Sequence, residues 1–413
     1  MRAKIARKAR KNLGATRLRR VSGRAPARAS VPSLKFIPKE TTSPEACDLP
    51  LYIPTRLGET LFDVTPSTGT RRPWGQHKGK SQEVAASYIR IGKRTGDASF
   101  EKAGSRMWVC GDEVGFADEV DHETGELVRR LEDAHFCRDM LCPVCAWRKS
   151  RYTFSSLMRC MEWLDEHRGK TVPIFLTLTV RNCGADELYQ EVRDVLKAFT
   201  RLMGYARVSR AVVGYFRNLE VTVNDSDGTF HPHIHAILLV RPNYFAKSLS
   251  LYIDQKEWVD LWKRASGIPV EDYSIVDVRR LRSSQGRAKA VAEAAKYTVK
   301  PGDLVCDDYD ETDRRVETVR RALLGLRKCS YGGVLKEARA ALKIADADDE
   351  RADLVHAGEE GKGKATRVAF EVYRWSAGLH DYVCVSMVAE QGTAVMPREG
   401  PGHGARGMPR AAA

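Results

Sequence analysis

Nowhere does the sequence approach the roughly 18 consecutive apolar residues of a membrane-spanning helix, so a soluble chain with no membrane partner is expected. An apolar signal-peptide core is equally missing near the N-terminus, which points to the cytoplasm. Acidic residues are scarce at the start. Residues 1–40 hold 13 Lys or Arg against Glu40 alone, and so carry +12 of the chain's net +14. A basic arm this concentrated suits a phosphate-rich partner, nucleic acid above all. Its Arg- and Ala-rich composition is also that of an organelle transit peptide.

A complete phosphate-binding loop is lacking too. Gly358–Ala365 has the glycine and lysine spacing, but Ala365 stands where a Mg²⁺-binding hydroxyl belongs, and an acidic helical stretch precedes it instead of a strand. Gly75–Ser81 is one residue short. No helicase motor is therefore expected in the chain, and strand separation would fall to a partner. Cysteine is limited to ten residues in 413, several of them clustered. That pattern favours thiolate ligands in a reducing compartment over a disulfide scaffold.

What is present reads as a series of segments. Residues 1–45 are a disordered basic arm; 46–105 combine a linker, Pro/Gly/Arg-rich over 64–80, with a helix over Ser81–Arg94 (Val84, Tyr88, Ile91). Residues 106–168 form a cysteine-rich module ending in an amphipathic helix, Tyr152–His167. From 169 to 305 strands and helices alternate. Strands are expected over 173–182, 211–223, 233–240 and 273–278, and helices over 187–203, 254–265 and 287–300. The turn cluster Asn224–Gly228 makes the second and third strands a hairpin. Residues 306–389 are a mixed extension and 390–413 a Gly/Pro/Ala tail. The fold class is α+β, a central antiparallel sheet with helices on one face, preceded by a cysteine-rich, zinc-binding module.

Within the hairpin, His233-Ile234-His235 places two imidazoles on one face of an otherwise apolar strand. Burying both costs free energy unless a proton, a carboxylate or a metal is shared. On the preceding strand Asn218, Glu220 and Thr222 alternate with apolar residues, and the hairpin can bring Glu220 beside the histidines. Two His and one carboxylate suit a divalent ion with open positions, such as Mn²⁺ or Mg²⁺, able to polarise a phosphoryl oxygen. The plainer reading is two structural histidines and a solvated glutamate. His231 shares the face but precedes Pro232, and is left outside the ligand set.

The segment Ala290–Lys300 sets Glu293 and Tyr297 four apart, with Lys300 three further on. A phenol is a poor nucleophile at its ordinary pKa of about 10, yet becomes usable beside a metal-polarised phosphate. Glu293 could then activate water against a phosphotyrosine, and Lys300 hold a phosphate oxygen. Taken alone, this spacing is ordinary surface pairing. Cys110, Cys137, Cys142 and Cys145 supply four thiolates for a structural Zn²⁺, with His135 a competing fourth ligand and packed, reduced cysteines the alternative. Trp147-Arg148-Lys149-Ser150-Arg151 could grip a DNA backbone and a stacked base, or be a charged helix start. The other six cysteines are read as packing or surface residues.

Three ordered stretches carry a family resemblance. They are Phe175–Asn182 (FLTLTVRN), then Leu219-Glu220-Val221-Thr222 leading into His231-Pro232-His233-Ile234-His235, then Glu293-x-x-x-Tyr297-x-x-Lys300. Together they resemble the motifs of plasmid rolling-circle replication initiators, endonucleases of the His-hydrophobe-His superfamily, in the branch with one tyrosine and a glutamate four residues before it. Trp108–Ser150 and Tyr331–Lys336 are similar to that branch as well. The resemblance implies that 169–305 is a nuclease domain in a bacterial or archaeal cytoplasm. It implies that Tyr297 cuts single-stranded or hairpin origin DNA through a 5′-phosphotyrosine, with host helicase and polymerase as partners. A transposase or relaxase with the same chemistry, and a non-enzymatic zinc-stabilised DNA-binding regulator, are the alternatives; a tyrosine that follows the histidines disfavours the relaxase.

Overall fold

The computed structural model describes residues 51–65, 68–246, 251–269, 276–281, 283–296, 298–357, 365–390 and 393–396. The expected basic arm, Tyr297, Cys47, Gly358–Lys364 and most of the expected tail lie outside the described residues. In chain order the elements are β1 (Leu51–Pro54), α1 (Trp74–Thr95), α2 (Ala98–Trp108), β2 (Glu113–Asp121), β3 (Leu127–Ala134), α3 (Pro143–His167) and β4 (Val172–Thr179). Then come α4 (Leu188–Gly204), α5 (Ala206–Ala211), β5 (Val212–Val223), β6 (Phe230–Val240), α6 (Gln255–Ser266), β7 (Val276–Arg280) and α7 (Ser284–Ala294). The last are α8 (Pro301–Leu304), α9 (Tyr309–Leu323), β8 (Cys329–Gly333), α10 (Val334–Ala341), β9 (Ala365–Ser376), β10 (Asp381–Ala389) and β11 (Thr393–Met396).

Five strands form the central sheet in the order β7-β4-β6-β5-β8, antiparallel throughout. Its hairpin β5–β6 is closed by the turn read from the sequence. The Asn224 and Asp227 side chains accept from Ser226 N (3.2 Å) and Thr229 N (2.9 Å), and Gly228 takes the positive φ of 69° that favours glycine. One face of the sheet presents Ile174, Leu176, Leu178, Leu219, Val221, Ile234, Ala236 and Leu238 to a core shared with α1, α4, α6 and α9. Helix α4 buries Leu188, Val192, Val195, Phe199 and Leu202 at three- and four-residue spacing, and α6 buries Trp258 and Trp262 four apart.

The antiparallel α+β class is as expected, but helices cover both faces instead of one. On the opposite face Phe175, Phe216, Ile237 and Leu239 are apolar at one end of the sheet and require cover, which α3, α7 and α10 provide. The other end of that face carries the polar residues of the hairpin.

A second sheet, β10-β9-β2-β3, is antiparallel and joins strands from the cysteine-rich region to strands of the C-terminal extension. It packs on Trp74 and Trp147 from the starts of α1 and α3. Two local expectations change. The linker expected over 64–80 turns helical at Trp74, because that indole is buried and its Nε1 donates to Asp63 (2.8 Å). The helix expected over 287–300 is displaced to Ser284–Ala294. Its end is set by β-branched Thr298 and Val299, by Pro301, which keeps Lys300 extended (ψ 134°), and by hydrogen bonds that draw Lys296 and Thr298 onto β5.

At the outer edge, β8 ends in Gly332-Gly333. A side chain at Gly333 (φ 55°) would collide with the Val213 carbonyl, and one at Gly332 with the Tyr215 ring. Gly333→Ala is expected to lower unfolding stability by about 2–3 kcal/mol, since the strained backbone and the collision add; urea unfolding checks this.

Candidate metal centre and DNA-cleavage site

The cross-strand register places Glu220 directly opposite His233, and Thr179 opposite His233 on the other side. His235, two residues along, pairs with Thr177 and Asn218. Strand alternation therefore gathers Glu220, His233 and His235 on one patch of the sheet, all three buried, at 2%, 8% and 7% exposure. The Glu220 Oε2 lies 3.1 Å from His235 Nε2 and 3.5 Å from His233 Nε2. Both Nδ1 atoms are engaged elsewhere: His233 with the His231 carbonyl (3.1 Å), His235 with Thr177 Oγ1 (3.1 Å). Each ring is thus turned so that Nε2 faces the carboxylate, the arrangement in which outer partners orient metal-ligating histidines. Phe175 stacks on the His235 ring at 5.5 Å between centroids.

Burial opposes charge on Glu220, but hydrogen bonds from His233 and His235, and their charges, outweigh it and hold its carboxyl well below the usual range. Glu220 is therefore anionic at neutral pH. Ligand atoms about 2.1 Å from an ion stand about 3.0–3.5 Å apart, and both carboxylate–imidazole separations fall in that range. The three groups can hold a metal ion. His231 stands outside the cluster, its ring 5.2 Å from that of His233.

Lys300, half-exposed, reaches the same carboxylate, Nζ to Oε1 at 3.6 Å. Glu293 sits in the last turn of α7 and pairs with Lys296 at 2.5 Å, outside the metal-ligand cluster. Because α7 stops at Ala294, the four-residue spacing to Tyr297 does not run along one helix. The residues flanking Tyr297 are fixed: Asn218 Nδ2 donates to the Lys296 carbonyl (2.8 Å), and Val221 N to that of Thr298 (2.7 Å). Thr177 and Asn218 were not picked out as site residues from the sequence. Parity with His235 and Glu220 on adjoining strands was the signal that could have found them.

The cysteines converge as well. Cys110, Cys137, Cys142 and Cys145 are buried and free of disulfides. Sulfur separations of 3.5 Å (Cys110–Cys145), 3.6 Å (Cys110–Cys142) and 3.7 Å (Cys137–Cys145) lie near the edge, about 3.8 Å, of a tetrahedron of thiolates around one ion. The amides of Cys137 and Arg138 donate to Cys110 and Cys145 (3.3 and 3.1 Å), and Ser81 Oγ lies 3.3 Å from Cys142. Burial works against a thiolate at Cys142, yet hydrogen bonds from the other three cysteines and Ser81 hold it well below the usual thiol range. This group, too, can hold a metal ion. The competing ligand His135 is exposed and outside it.

The expected DNA grip at 147–151 fails at its first two members. Trp147 is buried, and the guanidinium of Arg148, also buried, donates to the Leu354 and Val355 carbonyls. Lys78 and Ser81, from the incomplete phosphate loop, are buried in α1; Lys78 pairs with Asp112 (2.5 Å).

A family described as replication protein matches residues 128–383. The chain belongs to the replication protein family. Among its relatives, Protein rep of Bacillus amyloliquefaciens is 37% identical over 344 residues, covering 78% of this chain and 97% of its own. Protein rep of Lentilactobacillus hilgardii is 35% identical over 318 residues (75% and 94%). That of Streptococcus pneumoniae is 32% identical over 319 (76% and 92%). No solved structure matches. Membership of the replication protein family agrees with the plasmid-initiator motifs and gives the chain a role in plasmid replication initiation.

Two substitutions test whether these clusters hold metal. Thr177→Val removes the oxygen that orients His235 and is expected to weaken divalent-ion affinity about 10- to 100-fold, as read by titration calorimetry with Mn²⁺. Cys142→Ser is expected to release one equivalent of tightly held metal per chain, as measured by elemental analysis, and to lower the melting temperature.

Proposed function

We propose that this replication protein starts and ends plasmid replication by nicking one strand at the origin and later rejoining it, through a covalent tyrosine intermediate. The observation that carries the reading is the buried Glu220-His233-His235 cluster beside the tethered neighbours of Tyr297. Together they support a cation site close to the residues that flank the third motif's tyrosine.

The Tyr297 phenol gives its proton to solvent as its oxygen attacks the scissile phosphorus, and the bond from phosphorus to the 3′ oxygen breaks. The departing oxygen takes a proton and becomes a 3′-OH primer, and the 5′ phosphate stays on Tyr297. A divalent ion such as Mn²⁺ or Mg²⁺, held by Glu220, His233 and His235, would polarise the phosphoryl oxygen and offset its growing charge. Lys300, already drawn to Glu220, holds a second phosphate oxygen. In rejoining, a 3′-OH at the regenerated origin attacks the phosphotyrosine phosphorus, so the phosphodiester re-forms as the phosphorus–phenol bond breaks. Where water attacks instead, Glu293 takes its proton and the protein is released from a free 5′ phosphate; in both cases Tyr297 regains a proton. The half-exposed position of Glu293 leaves it open to water.

The buried Cys110-Cys137-Cys142-Cys145 set supports a structural Zn²⁺. The DNA partner is a single-stranded or hairpin origin, with host helicase and polymerase completing the process, since the sequence carries no motor motif.

Tyr297→Phe is expected to abolish covalent protein–DNA adducts with an origin oligonucleotide while leaving DNA affinity intact; adducts of undiminished yield would sink the assignment. Supercoiled plasmid is expected to be nicked only with Mn²⁺ or Mg²⁺ present. Failure of both metals to support nicking would favour a non-enzymatic DNA-binding regulator.

A further inference from the structure

We infer that Asn218 is a positioning residue that fixes where Tyr297 stands relative to the metal ligands. The inference rests on the tyrosine reading above. Asn218 is 1% exposed on β5, two residues from Glu220 on the same face and opposite His235 in register. Both ends of its amide are used. Nδ2 donates to the Lys296 carbonyl (2.8 Å), and Oδ1 accepts from the Cys329 thiol on β8 (3.2 Å). These two partners set which end of the amide faces which way, because a carbonyl only accepts and the thiol donates.

The tie sits one residue before Tyr297. The matching tie, Val221 N to the Thr298 carbonyl (2.7 Å), sits one residue after it. Both come from β5, on either side of Glu220. Lys300 adds a third attachment through Glu220 itself. Helix-type bonds run on from α7 to Ala295 and Lys296, and beyond them no strand ladder forms among the described residues before α8, so these ties fix the path there.

A buried side chain that only satisfied a helix end would bond to a carbonyl of the last turn. Asn218 instead reaches past the helix, to the peptide that carries Tyr297's own amide nitrogen. Asp lacks the N–H, and Leu fills the space without donor or acceptor. An ångström of misplacement at a nucleophile costs about 100-fold in rate, so the tie bears on attack and not on DNA or metal binding.

The experiment is single-turnover adduct formation by the full chain, with Mn²⁺ and an end-labelled oligonucleotide copied from the plasmid's origin. Asn218→Ala, Asn218→Leu and Tyr297→Phe are run beside the wild type. The expected result for Asn218→Ala is a rate lower by about 10- to 100-fold, with unchanged half-saturating oligonucleotide and Mn²⁺ concentrations. Hydrogen exchange is expected to quicken over 296–300 while β5 and β6 keep their protection. Asn218→Leu, which retains the volume, gives the same rate loss and decides the matter should the alanine variant melt early. An undiminished rate in the folded variant overturns the inference, as does a loss of Mn²⁺ affinity that accounts for the rate. Adducts from Tyr297→Phe would instead overturn the parent reading. None from Tyr297→Phe, beside wild-type rates from both Asn218 variants, defeats the positioning role alone.

Discussion

The register between β5 and β6 is the constraint on which the rest depends. With Leu219, Val221, Ile234, Ala236 and Leu238 facing one core, their neighbours Glu220, His233 and His235 must face the other way. A one-residue slip of β6 against β5 would send His233 and His235 into the α4–α6 core and turn Ile234, Ala236 and Leu238 out. The apolar face thus aligns the polar one. In return the three polar groups satisfy each other and their outer partners, which is what allows them to be buried at all.

Two different physical solutions hold the functional parts. The cysteine cluster ties the end of α2 to the start of α3 through thiols and backbone amides, in a place where the flanking elements are already packed. Lys296, Thr298 and Lys300 lie outside any helix or strand and are secured by polar ties to a central strand. Packing gives the first its rigidity. Directed hydrogen bonds give the second a defined place.

Much of the architecture was legible in the sequence because strand alternation and a short Asn/Asp/Gly turn determine side and register together. That logic places Glu220 next to His233 with no further information. The end of α7 was harder to see. An Ala-rich stretch reads as continuous helix, and the quieter signal, Thr298-Val299 followed by Pro301, was outweighed. Trp147 and Arg148 were misread because aromatic and guanidinium groups suit a core as well as a nucleic acid. Their burial comes from β9, β10 and residues 354–355, far along the chain, which no local pattern announces. The same distance explains why helices were expected on one face only: the cover on the second face comes from α3, α7 and α10 together.

The second sheet has a consequence for how the chain is made. Glu113 on β2 pairs with Arg374 on β9, 261 residues later. At a synthesis rate of about 5–20 residues per second, the β2–β3 pair waits roughly 10–50 s for β9 to cover the free edge of β2. The strands of the central sheet, by contrast, are all available once β8 has emerged. The polypeptide thus gains its histidine-bearing sheet first and closes around its cysteines' flanking sheet last, so a ribosome that stops short of residue 365 leaves a chain with one sheet entire and the other open-edged.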